Sequence, residues 1–184
     1  MAKMEYIVYT LLLLISLCLL LKVSFFPWWG ILLVASVYSL FTLSIGEWAT
    51  EQSKGIVSTY LGSRHMIQGI SILILFEAII MIAFCFDSVK GNKLHKNILK
   101  LGLFLYPGFL FALVIAFSVV HTFWTLTGIN FRVITYSLAL IVFLFVTGGT
   151  DLLRFWIKKQ VLRLELLFIC CFFIIIFSVI FAGN

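Results

Sequence analysis

The stretch ISILILFEAIIMIAF, Ile70 to Phe84, decides the fold class. It is apolar throughout apart from Ser71 near one end and Glu77 near the middle. A helix needs about 20 mainly apolar residues to cross a hydrocarbon core of about 30 Å, and the run containing this stretch, residues 67–86, meets that length. Five further runs read the same way: residues 6–26, 29–45, 99–120, 132–150 and 164–182. The second is short but carries no charge within it. The sequence therefore predicts an all-α polytopic transmembrane helical bundle of about six spans, forming one domain over residues 1–184.

Composition agrees with this reading. Of 184 residues, 64% are hydrophobic and 11% charged, and mean hydropathy is +1.22. Soluble domains hold about 45–50% apolar and about 25% charged residues. A soluble enzyme, a disordered tail, a collagen-like rod and a disulfide scaffold are excluded on these values. The tryptophans Trp28, Trp29, Trp48, Trp124 and Trp156 all fall at proposed span ends, where an indole matches the headgroup zone. The N-terminal run is read as a mature span, because its only early basic residue is Lys3 and no A-x-A site follows. Cys18, Cys85, Cys170 and Cys171 lie in apolar runs without a CxxC pair, so they read as small buried hydrophobes and not as a disulfide or metal set.

The formal charge of +6 reads as topology, not as nucleic-acid binding, since the basic residues sit between spans. With six spans, Lys3, Lys54, Arg64 and Arg132 share one side. Lys22, Lys90, Lys93, Lys96, Lys100, Arg154, Lys158, Lys159 and Arg163 share the other. The richer side is expected to be cytoplasmic, so both termini face outward, which is the periplasmic side if the membrane is the inner membrane of a Gram-negative bacterium. Lys90, Lys93, Lys96, Arg154, Lys158 and Lys159 are the expected contacts for anionic lipid. The connection from Asp151 to Arg163 mixes basic and apolar residues in a pattern that suits a helix lying on the inner leaflet.

Glu77 is the outstanding candidate for function. A carboxylate at bilayer depth needs a partner or a proton. Its neighbours one turn away, Leu73, Ile74, Ile80 and Met81, are apolar, so relief has to come from another helix or another chain. Tyr38, at similar depth and flanked by Ser36 and Ser39, is the first expected partner. Tyr136 with Ser137 is a second. These form an intramembrane polar anchor or ion site. A separate outward-side cluster gathers Glu47, Glu51, Arg64, His65, His121 and Arg132, with ion pairing expected between the carboxylates and the arginines. No HxxxH or HExxH spacing links the histidines, so no metal or other cofactor is expected. Pro107-Gly108 is expected to kink the fourth span. Thr147 to Asp151, TGGTD, is expected to end the fifth or to let another helix approach.

At WATEQSK (Trp48 to Lys54), followed by SRHMIQGISILILFEAIIMIAFCF (Ser63 to Phe86), the chain resembles small polytopic inner-membrane proteins of Bacteroides-like bacteria. The likeness spans Pro27 to Phe86. It implies an accessory subunit that accompanies energised envelope machinery, such as TonB-type proton-driven motors, and it carries over no functional residue. No nucleophile–base pair, paired carboxylates or nucleotide loop is visible in the sequence. The resulting expectation is a non-enzymatic membrane subunit that binds other integral membrane chains. The alternative is a small proton- or ion-coupled transporter or channel using Glu77. A lipid-modifying enzyme using His121 and Arg132 ranks third.

Overall fold

In hydrocarbon a backbone has to satisfy its own hydrogen bonds, and a helix does so within one segment. The computed structural model of the chain follows that rule. It describes residues 2–51, 64–89, 106–126 and 130–183, and the described residues form six helices and no strand. These are α1 (Ala2–Val23), α2 (Trp28–Glu51), α3 (Arg64–Val89), α4 (Leu110–Thr125), α5 (Phe131–Trp156) and α6 (Gln160–Gly183). The protein is an all-α membrane bundle. Four stretches are long and apolar enough to cross a bilayer: Trp28–Gly46, Gln68–Ser88, Phe131–Trp156 and Gln160–Ile180. Val8–Val23 and Leu110–Thr125 are apolar but shorter.

Local chemistry sets the turns. After α1 the amides of Phe25 and Phe26 donate to the carbonyls of Lys22 and Val23 at 3.1 and 2.9 Å, tightening the last turn. Pro27 then opens α2, accepting from the Ile31 amide at 3.1 Å. Proline suits that place, because its missing N–H has no use in a first turn. Asn130 caps α5, its side-chain oxygen accepting from the Arg132 amide at 3.1 Å. Trp28 and Trp29 begin α2, Trp124 lies in the last turn of α4 and Trp156 ends α5.

Two cores form, and α1 belongs to both. Leu19 and Val23 of α1 join Ile31, Ala35 and Tyr38 of α2, Phe111 and Ile115 of α4, and Ile134 and Val146 of α5. On its other side, Leu11, Ile15, Cys18 and Leu21 meet Ile74, Met81 and Phe84 of α3, and Leu167, Cys171 and Ile174 of α6. The four cysteines are free thiols in this second core. Helices α2 and α5 pack along each other, as do α3 and α6. Each pair carries an interhelical hydroxyl bond, Ser39 to the Ala139 carbonyl at 3.2 Å and Ser178 to the Ser71 carbonyl at 3.0 Å. Many other hydroxyls bond back to their own helix, Thr42 to the Tyr38 carbonyl and Thr150 to that of Val146 among them.

Three expectations need correction. The fourth helix starts at Leu110, so Pro107 and Gly108 precede it and do not kink it. Residues 99–105 lie outside the described residues. The TGGTD segment does not end the fifth helix, which runs on to Trp156. Gly149 packs instead on Leu20 of α1, whose Cδ1 would be 3.0 Å from an added Cβ, so its role is close approach. Finally, no surface helix spans Asp151 to Arg163. Asp151–Trp156 continue α5, Arg163 belongs to α6, and residues 157–159 alone connect them. Apolar side chains on both flanks let the two long helices extend through that stretch.

Candidate functional site: a buried carboxylate at the start of a helix

Helix α3 turns Ile74, Glu77, Ala78, Met81 and Phe84 inward while Phe76 and Ile79 face out. Glu77 is thus carried to the interior by its register among apolar residues, and it is 5% exposed. Its relief comes from the residues that open α4. The Leu110 amide donates to Glu77 Oε2 at 2.7 Å, and the Tyr106 hydroxyl donates to the same oxygen at 3.1 Å. Tyr106 in turn accepts from the Phe109 amide at 3.0 Å. The first amides of a helix have no intrahelical acceptor, and the helix dipole places partial positive charge there. Phe109 offers no side-chain cap. A carboxylate from α3 therefore does the work that a capping Ser or Asp does elsewhere.

Tyr38 is not the partner of Glu77. Its hydroxyl donates to the Gly108 carbonyl, and its ring meets Phe111 edge-on at 5.0 Å. It acts one step removed, holding the segment whose amides reach the acid. Tyr136 does not join the site either; it is 66% exposed on the outer face of α5. Depth along the sequence suggested both tyrosines, but depth does not tell which face of a helix a residue occupies. Gly108 is the second element that the spacing did not reveal. It has φ +114°, a region that favours glycine, and an added Cβ would lie 2.9 Å from Glu77 Oε1 and 3.0 Å from Met81 Cε. Gly108→Ala is expected to lower stability by about 2 kcal/mol through backbone strain and crowding. Thermal melts in mild detergent check this, and a midpoint equal to that of the parent protein refutes it.

Lys22 was expected at the cytoplasmic surface, yet it is 0% exposed. Its Nζ sits 4.8 Å from the Phe84 ring centroid and 5.3 Å from that of Tyr106. Desolvated ammonium–ring contacts of this kind are attractive. Tyr106 thus touches Lys22 with its ring and Glu77 with its hydroxyl. The turn signal Tyr106-Pro107-Gly108 was the available clue to this role. Beside Glu77 lies a cavity of about 10 Å³, bordered by Cys18, Leu19, Met81, Gly108 and Cys171. That is the lower limit of room for one water.

A second polar group, part-buried Arg154 with buried Arg163, closes the end of the bundle that holds Lys22. Arg154 Nε donates to the Ser24 carbonyl at 3.0 Å and its Nη2 to the Phe26 carbonyl. Arg163 Nη1 donates to the same Ser24 carbonyl at 3.0 Å, and its guanidinium lies 5.3 Å from the Phe25 ring centroid. Two guanidinium groups therefore cap the C-terminal turn of α1, where orphan carbonyls and the dipole favour cations. Arg154 was expected on anionic lipid; its Nε and Nη2 bond carbonyls at the end of α1, and the side chain is part-exposed. Lys158 and Lys159 are exposed, as a lipid contact requires. Lys90, Lys93 and Lys96 lie outside the described residues.

Of the expected outward cluster, His121 and Arg132 are described and exposed. His121 stacks on Phe117 at 6.0 Å. The Arg132 backbone serves the Asn130 cap. The side chains of Glu47, Glu51, Arg64 and His65 lie outside the described residues, so the expected ion pairs fall there too.

No family model, no curated protein and no solved structure matches the chain.

Proposed function

We propose that the protein is a non-enzymatic, integral subunit of an inner-membrane assembly, built to hold other membrane chains against its outer helix faces. The observation that carries this reading is how the buried polar groups are used. The Glu77 carboxylate joins α3 to the start of α4, and Arg154 and Arg163 bind α5 and α6 to the end of α1. Interior chemistry of this kind fixes helices in place. What remains for function is the outside, where long apolar faces stand exposed, among them Leu140, Ile141, Leu144 and Phe145 on α5. Lys22, Arg154, Lys158, Lys159 and Arg163 gather where α1 and α5 end and α6 begins, which supports that end as cytoplasmic. Lys158 and Lys159 are the proposed contacts to anionic lipid. The resemblance in residues 27–86 favours envelope machinery as the assembly. Extraction in mild detergents followed by native mass spectrometry tests the reading. Other membrane chains at fixed stoichiometry are expected, and a lone stable monomer in every mild condition overturns it.

One observation favours a second reading, an ion- or proton-coupled site. Glu77 and Lys22 meet the same tyrosine inside the bundle, and an intramembrane acid facing a cation recurs in proton relays. The cavity beside Glu77 argues for the first reading, because among the described residues it has room for one water at most. In proteoliposomes, the parent protein and Glu77→Gln are expected to give the same proton flux as empty vesicles. A flux in the parent that disappears with Glu77→Gln establishes the second reading.

A further inference from the structure

Helices α1 and α4 leave a groove of about 340 Å³ between them, distinct from the Glu77 site and open to one side. Tyr9, Ser16, Phe117, Ser118, His121 and Thr122 line it together with leucines of α1. Leu110 lies at the level of Glu77, near the middle of the α3 span. At about 1.5 Å per residue, His121 is then roughly 16 Å further out, at the boundary of the hydrocarbon. The groove therefore runs from within the bilayer to its outer surface.

Its chemistry is specific. The hydroxyls of Ser16, Ser118 and Thr122 donate to carbonyls of their own helices at 2.8, 2.7 and 2.7 Å. The Tyr9 hydroxyl and the His121 ring make no hydrogen bond to the described residues, so both offer a donor to a guest. Phe117 meets Tyr9 edge-on at 6.3 Å and stacks on His121 with 24° between the rings, giving an aromatic wall. No lining residue is Lys, Arg, Asp or Glu, so nothing there matches a phosphate. Inward of Tyr9 and Phe117 the wall is Leu12, Leu13 and Val114, with Ser16, whose hydroxyl is taken up by its own helix.

We propose that this groove binds the head group of a lipid-soluble quinone. The planar ring lies against Phe117, with one carbonyl accepting from the Tyr9 hydroxyl and the other from the in-plane N–H of His121. The isoprenoid tail runs along the leucines of α1 towards the middle of the membrane. Each part of such a molecule has a counterpart: an uncharged flat ring, two acceptors at opposite edges, an apolar tail and entry from the bilayer. A phospholipid leaves its phosphate without a cation in the groove.

The test is titration of the full chain in phosphatidylcholine nanodiscs with a benzoquinone carrying one isoprene unit. Quenching of tryptophan fluorescence is the readout, Trp124 being three residues beyond His121. Saturable quenching is expected. His121→Ala is expected to weaken binding about tenfold, the worth of one hydrogen bond. Ser118→Phe, which fills the groove from an exposed position, is expected to abolish saturation with helix content unchanged. If Ser118→Phe does not fold, Tyr9→Phe takes its place with an expected loss of several-fold. Quenching that rises linearly in the parent protein overturns the proposal. So does saturation that both variants leave untouched, and so does retention of phospholipid without quinone in lipid extracts of the purified protein.

Discussion

Glu77→Ala is expected to lower the thermal midpoint of the purified protein by on the order of 6–12 °C. The Leu110 amide and the Tyr106 hydroxyl both lose their acceptor. Buried hydrogen bonds to a charged group contribute about 1.5–3 kcal/mol each, and an orphaned donor costs its desolvation. The two losses share one oxygen and one helix end, so they do not add fully, and about 3 kcal/mol is the reasonable sum. For a chain of this size that corresponds to about 2–4 °C per kcal/mol. Glu77→Gln keeps a carbonyl oxygen as acceptor and loses the charge, so its midpoint is expected between the other two. Fluorescence-detected melts in mild detergent read the order parent, Gln, Ala. Equal midpoints for parent and Ala contradict the capping role, because a carboxylate that merely tolerates burial is better replaced by an apolar side chain.

The second large effect belongs to the arginines at the end of α1. Both donate to the Ser24 carbonyl, and Arg154 also binds that of Phe26. Removing Arg163 alone leaves Ser24 bonded to Arg154, and about 1.5 kcal/mol is expected to be lost. Removing Arg154 alone orphans the Phe26 carbonyl and costs about 2–3 kcal/mol. Removing both orphans the Ser24 carbonyl as well, so the double variant is expected to lose more than the two single losses combined. A double-mutant cycle on unfolding midpoints measures that excess. Arg154→Lys is expected to behave like Arg154→Ala, since one ammonium does not reproduce a fork that spans two carbonyls. Strict additivity rules out the shared-carbonyl account.

These two sites also mark where sequence reading stops. Helices were legible because apolar runs near bilayer length have one stable backbone solution in lipid. The need of Glu77 for a partner was equally legible, since the cost of an acid in oil is independent of topology. Its actual partners were not. Tyr106 and Leu110 lie 29 and 33 residues away in sequence, inside what reads as one apolar run marked only by Pro107-Gly108. The Pro-Gly pair signals a break, but it does not by itself tell a helix that begins after Gly108 from one that bends there. Lys22 was misplaced for a related reason. A lysine at the end of an apolar run normally reaches the surface, and only the packing of Phe84 and Tyr106 shows that this one is enclosed. Arg154 and Arg163 read as surface charges because their acceptors are main-chain carbonyls, which leave no mark in side-chain patterns.

The position of α1 between the two cores bears on how the chain is made. Translation delivers this central helix ahead of every neighbour it packs against. Lys22 therefore enters the translocon before Phe84 and Tyr106 have been synthesised, and the carbonyls of Ser24 and Phe26 precede their guanidinium donors by well over a hundred codons. Enclosure of Lys22 therefore requires segments made later than α1, since Phe84 and Tyr106 form its walls.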